Sequence, residues 1–148
     1  MKVTVTLCGL PPQIAPGCRV LVLGSMPGDA SLNAGQYYAH PRNRFWPLMG
    51  RMCGVDAGQP YESRLRALHA AGIGVWDVIG KCQRSGSLDA AIVRDSEVPN
   101  PIAERLSEWP ELRVIVFNGG KAAEAFRRHV QPRLDIAPHR QIALLPLP

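Results

Sequence analysis

Long apolar runs are missing from this chain. No stretch approaches the roughly 20 residues that a membrane-spanning helix needs, which excludes a protein built on such helices. The first residues, MKVTVTLCGLPP, hold one lysine and a short β-like run broken by prolines, so no secretory signal is expected. Cysteine is scarce. Cys8, Cys18, Cys53 and Cys82 are widely spaced and form no C-x-x-C pair, which argues against zinc and iron–sulfur sites and for free thiols in a reducing compartment. The lysine of a phosphate-binding P-loop and the G-x-G-x-x-G of a dinucleotide fold are absent as well. A soluble, cytoplasmic protein without metal or cofactor is the expectation.

What is present fits one domain over residues 1–148, hydrophobic at 46% and large enough for a real core. Seventeen Lys and Arg against twelve Asp and Glu leave a formal charge of +5. Most of the excess is arginine, the cation suited to phosphate and planar partners. That balance permits nucleic-acid binding without requiring it. Fourteen glycines and fourteen prolines indicate tight loops, because apolar segments interrupt them throughout.

Four short apolar runs, Val20–Leu23, Gly74–Val78, Val114–Phe117 and Ile142–Leu145, have the character of covered parallel strands. Helices are expected over Asn43–Met52, with Phe45, Leu48, Met49 and Met52 at core spacing, and over Tyr61–Ala71. Further helices are expected over Ser87–Arg94 behind a Ser87 cap, Pro101–Trp109 behind an Asn100 cap, and Gly120–Val130. His129–Arg140 reads as a basic connection holding Arg133, His139 and Arg140. Strands alternating with helices make an α/β fold with a mostly parallel sheet. Ligands then bind beyond the carboxyl ends of the strands, which selects Gly24–Gly28, Asp77–Lys81, Asn118–Lys121 and the extreme C-terminus.

Two of these segments are dense in special residues. Gly24-Ser25-Met26-Pro27-Gly28 follows the first buried run. It reads either as an ordinary Pro-Gly turn or as a loop whose backbone groups approach a ligand closely. Tyr37-Tyr38-Ala39-His40-Pro41-Arg42-Asn43-Arg44-Phe45-Trp46 combines aromatic and planar polar side chains, as base stacking and edge recognition require. Taken singly, Phe45 and Trp46 also suit core anchors, Asn43 a helix cap, and His40 and Arg42 a solvated face.

Together the two segments resemble the uracil-DNA glycosylase superfamily, most of all its hypoxanthine (deoxyinosine)-DNA glycosylase branch. Ala39-His40-Pro41-Arg42-Asn43-Arg44-Phe45-Trp46 is also similar to the mismatch-specific uracil/thymine glycosylases. The likeness continues through Gly74-Val75-Trp76-Asp77-Val78 and Val116-Phe117-Asn118-Gly119-Gly120-Lys121-Ala122. It implies a three-layer α/β/α sandwich around a four-stranded, mostly parallel sheet. It also implies a monofunctional glycosylase that flips a deaminated base, hypoxanthine and then uracil, from damaged double- or single-stranded DNA in base excision repair.

Relatives often position water with Asp or Asn in the first loop. Met26 and Pro27 cannot, so the resemblance shifts that role to Asn43. It implies that the base stacks on Tyr38, or on Tyr37 or Phe45, and meets Gly24, Ser25, Met26 and Pro27. His40 would face the leaving base or brace its loop, and Asn118 would contact the base edge or tie loops together. Arg42, Arg44 and Lys121 would contact phosphates or simply be solvated. Trp76-Asp77 would support the pocket wall. Where the family carries a DNA-wedging Ser-Pro loop and a last helix, this chain reads Leu144-Leu145-Pro146-Leu147-Pro148. A non-catalytic nucleic-acid or nucleotide binder of the same fold is therefore the alternative. A nucleoid-associated monomer is expected.

Overall fold

The computed structural model describes residues 4–134 and 141–147; His139, Arg140 and Pro148 lie outside them. The four apolar runs form one parallel sheet. Its strands are β2 (Val20–Gly24), β3 (Ile73–Asp77), β6 (Val114–Phe117) and β7 (Ala143–Pro146), in the order β3-β2-β6-β7. β2 is the centre, with Leu21 paired to Gly74 on one side and to Ile115 on the other. Leu21 and Leu23 are fully buried, and each such leucine contributes about 1.5–3 kcal/mol.

The helices follow from apolar residues at helical spacing. In α2 (Phe45–Cys53), Phe45, Trp46 and Met49 are buried. Met52, expected in the core, is 64% exposed. The helix stops at Gly54, whose φ of 73° suits glycine. α3 (Tyr61–Ala70) buries Leu65 and Leu68, and α5 (Gly120–His129) buries Ala122, Ala125 and Phe126. A short α1 (Asp29–Ala34) ahead of α2 and an α6 (Gln131–Leu134) after α5 complete that set. β3 lies on one side of β2, and β6 and β7 on the other. Right-handed crossovers therefore place the helices between β2 and β3 on one face and the later ones on the opposite face. The strand order reverses beside β2, which opens a crevice at the carboxyl ends of β2 and β6.

A second sheet was not legible in the apolar pattern. β1 (Val5–Cys8), β4 (Ile79–Arg84) and β5 (Val98–Pro99) pair antiparallel in the order β1-β4-β5. β4 alternates exposed Lys81 and Gln83 with buried Cys82 and Arg84, so it carries no apolar run. The same sheet overturns the helix expected over Ser87–Arg94. Ile92 bridges to Arg84, and the Val93 N–H donates to the Gln83 carbonyl. Pairing with β4 leaves only 3-10 turns at Asp89–Ala91 and Arg94–Ser96.

Ser87 does not cap that segment; its hydroxyl accepts the Asp29 N–H at 2.9 Å and steadies α1. The helix expected over Pro101–Trp109 is reduced to α4 (Ile102–Arg105) and a 3-10 turn at Leu106–Glu108. Asn100 is not its side-chain cap either, because its amide donates to the Asp77 carbonyl at 2.7 Å.

Candidate functional site

At the crevice beside β2 lies a cavity of about 370 Å³, within the range of small-molecule sites. It brings together Gly24, Ser25, Met26 and Pro27 from the loop after β2, Tyr38, His40 and Asn43 from the segment before α2, and Asn118 after β6. Asp77, at the end of β3, and Ser87 and Asp89, beyond β4, complete the wall. A second cavity, of about 400 Å³, lies at the opposite strand ends between Arg19, His69, Glu111 and Arg113. Among the described residues it is lined by no Tyr, Phe or Trp.

The loop after β2 is fixed by bonds to its surroundings. The carbonyls of Gly24 and Ser25 accept the N–H groups of Val78 and Ile79 at 2.8 and 3.0 Å. The Ser25 hydroxyl donates to Asp89 at 2.6 Å. The fully buried Arg84 reaches across from β4 and donates to the carbonyls of Pro27 and Gly86, each at 2.7 Å. Gly24 is required by close approach. A Cβ there would stand 2.4 Å from Asp77 Oδ1 and 3.4 Å from the Tyr38 hydroxyl. Gly24→Ala is expected to displace the Asp77 carboxyl at a cost of about 1–3 kcal/mol, measurable as a lower urea midpoint with an unchanged slope.

The aromatic segment is braced from behind. Tyr38 adopts φ 56°, a left-handed conformation rare outside glycine. Its ring stacks on Phe45, with centroids 4.1 Å apart and planes 22° from parallel. Phe45 is buried and does not line the cavity, so it backs Tyr38 instead of meeting a ligand. Trp46 donates its indole N–H to the Tyr37 carbonyl at 3.1 Å, and the Tyr37 hydroxyl donates toward the carbonyls of Leu10 and Pro11. Burial, then the neighbouring Asp77 charge, pushes the Tyr38 hydroxyl up, so it stays neutral; the Asn118 amide faces it and opposes that shift.

Asn43 and His40 have defined polarity. Asn43 Oδ1 accepts the Phe45 N–H at 2.9 Å, so Asn43 steadies the start of α2 in the manner of a cap. Only oxygen can accept that bond, which fixes the amide orientation and leaves Nδ2 as a donor. His40 Nδ1 accepts the Arg42 N–H at 3.0 Å. In the neutral ring this places the proton on Nε2. The Arg42 and Arg44 side chains are exposed. Lys121 is committed elsewhere: its ammonium is 2.5 Å from the buried Glu97 carboxylate and 3.1 Å from Glu124. Arg128 and His129 share that Glu97. Burial raises the Glu97 pKa, but hydrogen bonds from these three side chains outweigh it and hold the carboxyl below its usual range.

The residue that sequence reasoning undervalued is Asp77. Its side chain is buried in the cavity wall, and Oδ2 makes no hydrogen bond to any described residue. Burial, and then the Asp89 charge, pushes its pKa up to about 7. A buried carboxyl with a free oxygen, in a cleft, marks a chemical site. The available signal was its position: Asp77 ends an apolar strand where an α/β sheet presents its ligands. Among the described residues no group of His, Cys, Asp or Glu is arranged to hold a metal ion. No helix of the described residues is long and apolar enough to cross a membrane.

The family model for the uracil DNA glycosylase superfamily matches residues 11–148. A hypoxanthine DNA glycosylase of Methanosarcina barkeri is 41% identical over 117 residues, which cover 78% of this chain and 73% of that one. Its Methanosarcina acetivorans counterpart is 39% identical over the same shares. The solution NMR structure of a protein provisionally described as a uracil DNA glycosylase, also from Methanosarcina acetivorans, superposes with a TM-score of 0.77. That match has 33% identity and covers 96% of this chain and 84% of the other. The chain shares the family's mixed α/β fold around a four-stranded parallel sheet, and it belongs to the uracil DNA glycosylase superfamily.

Proposed function

We propose that this protein is a monofunctional DNA glycosylase that hydrolyses the N-glycosidic bond of deaminated bases, hypoxanthine first and uracil next, in double- or single-stranded DNA. The observation that carries this reading is the pocket at the β2–β6 crevice, where the Tyr38 ring, the Asn43 amide and the buried Asp77 carboxyl converge. An everted base stacks on Tyr38 and presents its edge to the loop after β2. As the glycosidic bond breaks, the sugar gains oxocarbenium character and the base gains negative charge. Donors aimed at that base accelerate the step.

Asn43 Nδ2 and the neutral form of Asp77 are those donors. Water then adds hydroxide to the sugar carbon, and its proton ends on the released base. No lysine lines the pocket among the described residues, so no Schiff base forms and the DNA strand stays intact. Exposed Arg42 and Arg44 engage phosphates, with affinity falling as salt rises. The protein acts as a monomer at the nucleoid in the cytoplasm, and no cofactor takes part.

Incubation with labelled duplexes containing deoxyinosine, deoxyuridine or ordinary bases, followed by hot alkali, tests this reading. Abasic sites are expected at the deaminated bases only. DNA binding without abasic sites would overturn the enzyme and favour a non-catalytic binder. Asn43→Ala is expected to lower base release about 10²-fold or more. Since Asn43 also steadies α2, the decisive variant is Asn43→Asp, which keeps the acceptor for the Phe45 N–H but loses the donor. It should melt near the wild type and still fail to release base.

A further inference from the structure

Three strands of the parallel sheet begin together at the end opposite the base pocket. Val20 is paired with Ile73 on one side and with Val114 on the other, so Gly72, Arg19 and Arg113 stand side by side just ahead of β3, β2 and β6. Their backbone is fixed. The Arg19 and Val20 N–H groups donate to the Gly72 carbonyl at 2.7 and 3.0 Å, and the Arg113 and Val114 N–H groups donate to the Arg19 carbonyl at 2.9 and 3.2 Å. Both arginines are exposed and line the second cavity. Like charges on neighbouring strands repel, and among the described residues neither guanidinium has an ion pair or a side-chain hydrogen bond.

Gly72 makes room for one of them. Its φ is 80°, and a Cβ there would stand 2.8 Å from Arg19 Nε and 3.1 Å from Arg19 Nη2, so this guanidinium lies against bare backbone. His69 donates from Nε2 to the Gln13 carbonyl at 3.1 Å, since a carbonyl only accepts. Nδ1 is the atom it has left for a ligand. Glu111 lines the cavity too, with its carboxylate beside Gly17. Two cations against one carboxylate leave the cavity net positive.

We propose that this second cavity is a binding site for a phosphate monoester, held between Arg19 and Arg113 and separate from the base pocket. A guanidinium presents a rigid fork of donors that matches phosphate oxygens. A monoester carries a charge of about −1.5 to −2 at neutral pH, which balances two arginines, whereas an internal diester of DNA carries a single charge. An anion shared by the two side chains replaces their repulsion with attraction. Glu111 accepts a hydroxyl from the body that carries the phosphate. The site lies about 16 Å from the loop after β2, the length of that five-residue strand, so a ligand held here leaves the base pocket open.

The test is calorimetric titration of the whole chain with inorganic phosphate and with glycerol phosphate, at constant ionic strength in chloride, with dimethyl phosphate as the diester control. The expected result is a dissociation constant on the order of 1 mM for the two dianions, and binding of dimethyl phosphate weaker by about tenfold or more. Arg19→Gln and Arg113→Gln should each lose about tenfold or more. Arg19→Lys keeps the charge without the fork and should recover only part of that loss. No binding to wild type, or binding that survives both Gln substitutions, would overturn the site, and equal binding of dimethyl phosphate would overturn the monoester. In chloride alone Arg113→Gln should melt no lower than wild type, because a repulsion is removed. A lower melting point would reveal a protein partner for that guanidinium and overturn the proposal. A short duplex carrying 5′-phosphates identifies where the phosphate comes from. Tighter binding than the same duplex with 5′-hydroxyls, lost in Arg19→Gln, assigns the site to a DNA end; equal binding of the two duplexes, with glycerol phosphate still bound, assigns it to a free phosphate ester.

Discussion

Arg84→Ala is expected to lower stability by about 3 kcal/mol, since two carbonyls lose their donor and a cavity opens where a full side chain was. Arg84 is completely buried at the end of β4, and its two hydrogen bonds hold Pro27 and Gly86. Its ion-pair partner, Asp29, is 3.9 Å away and 60% exposed, so charge pairing offsets little of the cost of burying a guanidinium. The residue is therefore kept for what its fork of donors does to the two loops. In a domain of this size the loss corresponds to a melting temperature lower by about 6–12 °C.

Base release should fall in parallel even at temperatures where the variant is folded, because the loop after β2 loses its tie to the second sheet. Arg84→Lys separates charge from geometry. Lysine keeps the cation but is a point charge on a flexible stem and cannot span both carbonyls, so it should rescue only part of the stability. Full rescue by lysine would show that charge, and not the bidentate bracing, holds the loop.

The central sheet was readable because its inner run is buried on both faces in β2 and β3, although the edge strand β7 is mostly exposed. A run such as Val20–Leu23 has no other stable use in a soluble chain. The long helices were readable for the complementary reason, an apolar face at helical spacing. The antiparallel sheet escaped because β4 alternates Lys81 and Gln83 with Cys82 and a buried arginine, so half of its inward face looks polar. That same hidden strand pulled Ile92 and Val93 into pairing and removed the helix expected over Ser87–Arg94.

At the site, the aromatic and planar residues announced themselves by density. Their division of labour did not. Whether Phe45 faces a ligand or backs Tyr38 depends on a stacking geometry that no spacing encodes. Lys121 looked free for phosphate because Glu97, its partner, lies 24 residues earlier in the chain. Asp77 was visible as a residue but not as a titratable group near neutrality, because that property arises from burial and from Asp89, which only the fold brings near.

The largest pH effect is expected from Asp77. Its pKa rises from 3.8 to about 7 on folding, so between those values the native protein holds a proton that the unfolded chain has released. Stability then falls as pH rises through that window. A rise of that size corresponds to about 4 kcal/mol at most, present below pH 4 and lost by about pH 7 and above. Asp77→Asn cannot ionise, so it should remove this slope and melt higher than wild type at pH 8, while the two converge near pH 4–5. Urea unfolding across pH 4–8 measures the difference.

The same ionisation sets the catalytic profile. A neutral carboxyl donates to the departing base, and a carboxylate in that place repels the charge the base acquires. Base release should therefore decline above about pH 7 in the wild type. Asp77→Asn, which keeps an N–H donor in the same place, should lose that decline, and Asp77→Ala should be slow at every pH. A rate that climbs through pH 7 in the wild type and is abolished in Asp77→Asn would assign the ionised carboxylate to water instead, and the donor role would be wrong. The stability slope should level off at the pH where the rate profile turns, because both end on the same folded-state ionisation of Asp77.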